Sequence, residues 1–164
     1  MSWFTKSKTS VQPIPDCANS ILFDENTFYN KFNIDLLNAK SEVVIESPFI
    51  TLSRLSTFKP IFEKLITRNV KVYVVTRNPK EHDGMLVEQA ETGIRYFEAL
   101  GVQVLLWQGG HHRKLAIIDR EILWEGSLNI LSQRHSREFM RRIDSKKLAE
   151  EMIKFLRYDK AGII

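Results

Sequence analysis

A single cysteine, Cys17, stands in 164 residues. A lone thiol excludes an intrachain disulfide, a zinc knuckle and a cysteine pair for redox work. No apolar run approaches the roughly 18 residues of a membrane-spanning helix. Met1-Ser2-Trp3-Phe4-Thr5-Lys6 has neither the apolar core nor the small-residue cleavage site of a secretory signal. These absences lead us to expect a cytoplasmic protein with no membrane attachment. There is no internal repeat and no low-complexity segment. What is present is a hydrophobic fraction of 43%, ample for one buried core. Lys and Arg total 24 against 20 acids, and this mildly basic balance favours a polyanionic partner without requiring one.

Residues 1–20 are polar, hold Pro13 and Pro15, and show no sustained period, so we expect an irregular leader followed by one domain over residues 21–164. Asp24 or Asn26 can cap a helix whose Phe28, Phe32, Leu36 and Leu37 recur at helical spacing. Residues 42–47, rich in valine and isoleucine, then read as a buried strand ended by Pro48. Thr57 begins a second helix with Phe58, Phe62, Leu65 and Ile66 inward, and residues 70–76 form the next strand. Asp83 caps a third helix carrying Leu86, Ala90, Ile94 and Phe97; Gly101 ends it, and residues 102–107 form another apolar strand.

This alternation predicts an α/β fold with a mixed, largely parallel central sheet flanked by helices on both faces, each helix serving as a crossover. After Gly109-Gly110 the pattern changes. Residues 114–118 and 121–125 read as an antiparallel hairpin about Asp119-Arg120. A strand near residues 138–143 and a terminal helix with Leu148, Met152 and Phe155 inward complete the chain.

The chemistry concentrates in His112-Arg113-Lys114-Leu115-Ala116-Ile117-Ile118-Asp119 and, after a short gap, Gly126-Ser127-Leu128-Asn129. An imidazole, an ammonium, a hydroxyl and a carboxamide held close together suit attack on a phosphate diester. On a strand, the period of two places His112 and Lys114 on one face and Asp119 on the other. His111 lacks that alternation with Lys114, so His112 is the preferred nucleophile and His111 reads as a loop histidine. His82 and His135 lie in polar, turn-like contexts where surface placement is expected.

The pattern of His112, Lys114, Asp119, Gly126, Ser127 and Asn129 resembles the phospholipase D superfamily, with every spacing matched. The likeness extends over residues 21–158. It implies that His112 attacks phosphorus to form a phosphohistidine, while Lys114, Ser127 and Asn129 cradle the phosphoryl oxygens. No metal or other cofactor is then required. Glu138 stands about where such proteins place an acid that orients the histidine. Asp119 belongs to the motif, although its place at a strand end suggests a turn-capping part. Glu46-Ser47-Pro48-Phe49 ends the first strand, where Ser-Pro turns also occur in this superfamily; a plain turn is preferred to a site-lining role.

One imidazole cannot be nucleophile and leaving-group acid at once, because the two act on opposite sides of an in-line phosphorus. Larger superfamily members carry two motifs; this chain has one, so the resemblance implies a homodimer pairing two copies of His112. Arg134, Arg137, Arg141 and Arg142, with Lys146-Lys147 behind them, form a basic rim suited to a nucleic-acid backbone. The short, basic, one-motif form looks most like the nuclease branch, whose members include domains fused to or working with helicases and restriction systems. The expectation is a metal-independent endonuclease acting on DNA. A phospholipase D-type lipid hydrolase or transferase, and a non-catalytic nucleic-acid-binding or dimerisation module, stay open as alternatives.

Overall fold

The computed structural model describes residues 19–132 and 135–160. Most of the expected leader and Arg134 lie outside them. Among the described residues seven strands make one sheet in the order β1-β7-β6-β5-β2-β3-β4. The chain runs β1 (Ser20–Asp24), α1 (Phe28–Asn38), β2 (Glu42–Glu46), α2 (Leu52–Thr67) and β3 (Lys71–Arg77), and continues through α3 (Met85–Ala99) to β4 (Gln103–Trp107). It closes with β5 (Leu115–Ile118), β6 (Ile122–Gly126), β7 (Phe139–Asp144) and α4 (Lys146–Leu156).

The expected mixed α/β sheet is present. Its parallel part is β2, β3 and β4, joined by α2 and α3 as crossovers; β5, β6, β7 and β1 are antiparallel. The sheet's antiparallel half is thus larger than one added hairpin, because β1 pairs with β7 and closes the far edge. β1 is a strand the sequence reading missed, at the boundary of the supposed leader.

Helices cover both faces. Phe28, Phe32 and Leu36 of α1, Phe58, Phe62 and Leu65 of α2, and Ile94 and Phe97 of α3 pack with Val43, Ile45 and Trp124 on one side. Val44, Val75, Ile117 and Leu123 meet Ala149, Ile153 and Leu156 of α4 on the other. β2 is buried on both faces, which explains its continuous apolar run. Trp124 is fully buried among Phe23, Phe28 and Phe32, so its truncation to alanine costs about 3–5 kcal/mol. Its Nε1–H donates to Asp35 Oδ2 at 3.0 Å. That carboxylate also receives Arg142 Nε at 2.6 Å.

The terminal helix is present but turned from its expected face. Ala149, Ile153 and Leu156 are buried, whereas Leu148 and Met152 are half-buried and Phe155 is 75% exposed. His82 also departs from expectation, being buried beside Phe49 with ring centroids 5.1 Å apart.

Candidate active site

Antiparallel pairing collects the motif except for Asp119. β5 runs against β2, so its first residue, Leu115, lies beside Glu46 at the end of β2, and Leu115 in turn faces Glu125 of β6. Gly126 then faces Met140 of β7. The entry to β5, the exit from β6 and the entry to β7 therefore meet at one end of the sheet, where β2 also terminates. Gly126 is required for this crossing: a Cβ there would lie 2.2 Å from the carbonyl oxygen of Phe139. The same closeness lets Ser127 N–H donate to Phe139 O at 3.0 Å.

A cleft of about 740 Å³ opens at this end, with His112, Lys114, Ser127, Asn129, Glu138 and Arg141 in its wall. Five of the six proposed catalytic residues are brought together. The sixth, Asp119, is not: it lies at the opposite end of β5 and accepts from Lys40 N–H, Ser41 N–H, Ser41 Oγ–H and Glu42 N–H.

His112 and Lys114 precede β5 instead of belonging to it, so strand alternation does not set their relation. A direct contact does. Lys114 Nζ lies 2.8 Å from His112 Nδ1 and donates to the His112 carbonyl at 2.7 Å. Burial pushes the Lys114 ammonium below its usual range, and Glu138 opposes that shift.

Glu138 makes no hydrogen bond or ion pair with His112 within the chain. Its carboxylate accepts from Ser127 Oγ and, at 2.7 Å, from Ser136 Oγ. Ser127 Oγ accepts in turn from Phe139 N–H at 3.1 Å. Asn129 Oδ1 is buried and has no hydrogen-bond partner among the described residues. A buried, unpaired carboxamide oxygen costs about 1–3 kcal/mol, a cost commonly met where a ligand supplies the missing contact.

The expected basic rim divides. Arg141 lines the cleft and Arg137 is exposed, whereas Arg142 points to the other face of β7, where Asp35 and Asp144 hold it. Alternation along a strand sends neighbouring arginines to opposite faces, which clustering in sequence conceals. Sequence reasoning also missed an apolar wall of Leu115, Phe139, Met152, Phe155 and Leu156. Glu46 and His111, expected in a plain turn and an idle loop, form with Tyr158 a buried group that has Arg113 against it. His111 is no idle loop residue: burial, then Arg113, holds its ring neutral, with a pKa pushed down to about 4. Among the described residues no three His, Cys, Asp or Glu side chains are grouped to hold a metal ion, and no helix is long and apolar enough to cross a membrane.

Comparison with known proteins places this geometry in a family. NucT from Helicobacter pylori is similar in fold, with a TM-score of 0.70 at 18% identity over 84% of this chain and 92% of that one. Nuc from Salmonella typhimurium, a phospholipase D family member, gives 0.65 at 16% identity with the same coverages. Phosphatidylserine synthase from Haemophilus influenzae Rd KW20 gives 0.65 at 17% identity, over 82% of this chain and 37% of that one. No curated protein matches the sequence. Residues 34–160 match the family described as cardiolipin synthase, PLD-like domain. With most of its length matched, the chain belongs to the phospholipase D superfamily.

Proposed function

We propose that this protein is a metal-independent phosphodiesterase, an endonuclease cutting DNA through a phosphohistidine at a site shared by two copies of the chain. The observation that carries this reading is the convergence of His112, Lys114, Ser127, Asn129 and Glu138 from separate strand ends onto one cleft. A ring nitrogen of His112 attacks phosphorus, forming an N–P bond as the P–O bond to the leaving alkoxide breaks. Lys114 and the polar groups of Ser127 and Asn129 stabilise charge on the non-bridging oxygens. A second imidazole protonates the alkoxide. Water then displaces His112 from phosphorus, giving its proton to that second imidazole and leaving a phosphomonoester.

Among the described residues His112 is the one histidine in the cleft wall, so the second imidazole comes from a partner copy. The surface beside the cleft suits such a partner. Phe139 and Phe155 are 55% and 75% exposed, and Leu22, opposite Arg141 on β1, is 59% exposed. An apolar patch of this kind at a site lip favours association. Arg137 and Arg141 supply positive charge for a DNA backbone.

The apolar wall of the cleft supports a second reading, a lipid phosphodiester as substrate. One assay separates the two: supercoiled plasmid, single-stranded DNA and phosphatidylcholine vesicles, each incubated in excess chelator with wild type and His112→Ala. The expected result is DNA cleavage at full rate with chelator present and a loss of about 1,000-fold or more in His112→Ala. Strict dependence on added magnesium, or cleavage undiminished in His112→Ala, overturns the reading. Hydrolysis of the vesicles with DNA left intact makes the lipid the substrate.

A further inference from the structure

We infer that Glu46 is a positioning residue that sets His112 by holding Arg113, the next residue in the chain. The inference rests on the proposed role of His112 as nucleophile. His112 lies between β4 and β5 in a segment without regular secondary structure, and its own side chain is exposed, so neither a backbone ladder nor burial of the imidazole fixes its place. Arg113 is held instead, and His111 on the other side is buried. Arg113 Nε donates to Glu46 Oε1 at 2.7 Å, and His111 Nε2 lies 3.1 Å from the same oxygen without forming a hydrogen bond. The other oxygen, Oε2, accepts from Tyr158 Oη at 2.5 Å. The Glu46 side chain is 0% exposed.

A carboxylate is the fitting group here because it accepts along two directions, one toward the motif loop and one toward the segment after α4. An apolar residue would fill the space but leave Arg113 and Tyr158 unpartnered. The next residue completes the hub. Ser47 Oγ accepts from Leu131 N–H at 3.2 Å, and Ser47 N–H donates to Val75 O at 3.0 Å. Two consecutive side chains at the end of β2 thereby tie the His112 loop and the loop after Asn129 to the same strand end. Upstream, Glu81 accepts from Gly109 and Gly110 N–H at 2.7 and 3.1 Å, which anchors the start of the loop separately.

The test compares wild type, Glu46→Gln, Glu46→Asp and Tyr158→Phe by thermal melting, by kcat and KM on bis(4-nitrophenyl) phosphate in excess chelator, and by imidazole ¹⁵N resonances of His112. Folded Glu46→Gln is expected to lose about 30- to 100-fold in kcat with KM within about threefold, as a small misplacement of a reacting group does. Its His112 resonances should broaden or split. Glu46→Asp should recover part of kcat. A folded Glu46→Gln with kcat within about threefold of wild type and unchanged His112 resonances overturns the inference, leaving Glu46 a stability residue. If Glu46→Gln does not fold, Tyr158→Phe decides: a kcat loss of about fivefold supports the inference and wild-type kcat refutes it. Absence of diesterase activity in wild type sinks the proposed function, and the His112 resonances still decide whether Glu46 positions the ring.

Discussion

Asp119 satisfies four donors at the corner between α1 and β2, and this accounts for an acid at the motif's fixed offset from Lys114. Burial raises its pKa, but the hydrogen bonds from Ser41, Glu42 and Lys40 together outweigh that and hold it below the usual aspartate value. A lowered folded pKa means that the unfolded chain binds the proton first on acidification. The stabilisation is therefore complete above the ordinary aspartate range and disappears as pH falls through the lower folded value. Asp119→Asn is expected to lower unfolding free energy near neutral pH by roughly 2–3 kcal/mol, with a smaller gap near pH 3. Urea unfolding at the two pH values checks this; a gap that does not shrink in acid contradicts it. Arg142 shows how residue identity alone misleads: grouped with Arg141 in sequence, it serves Asp35 on the opposite face.

Among the elements, α4 is the most instructive. Leu148, Met152 and Phe155 share the helical spacing of Ala149, Ile153 and Leu156, offset by one residue, so periodicity cannot choose between the two stripes. Docking against the sheet buries the second set and leaves Met152 and Phe155 in the cleft wall. The helix ends at Arg157, which has φ 59° and ψ 30°, a left-handed conformation that suits glycine better. Arg157→Gly is expected to raise the melting temperature, with a gain of up to about 1 kcal/mol. A lower melting temperature would show that the arginine side chain matters more than its backbone. β1 escaped the sequence reading because its partner, β7, lies more than a hundred residues away; five residues with a short apolar centre carry no such long-range information. α2 begins at Leu52, a turn before the expected Thr57, and Pro60 sits inside it. A proline is most at home in a helix's first turn, which draws a sequence-based start toward it.

For the whole molecule, the decisive matter is association. Phe155→Glu places a charge on the exposed patch without disturbing a buried contact, so the fold should persist while the two-copy site fails. Light scattering should show a dimer for wild type and a monomer for Phe155→Glu, with diesterase activity down about 100-fold or more in the variant. A fully active monomer, in either protein, excludes the shared site. Much was already determined by the sequence alone: the β–α alternation, the hairpin about Asp119-Arg120, and the chemical set of His112, Lys114, Ser127 and Asn129, because periodicity and motif spacing are local. Only the tertiary structure decided what depends on contacts between distant segments. It set Asp119 apart from the cleft, turned Arg142 toward Asp35, exposed Phe155, and brought Glu46 against Arg113 and Tyr158, since the facing of strands and the docking of α4 are settled by packing across the sheet.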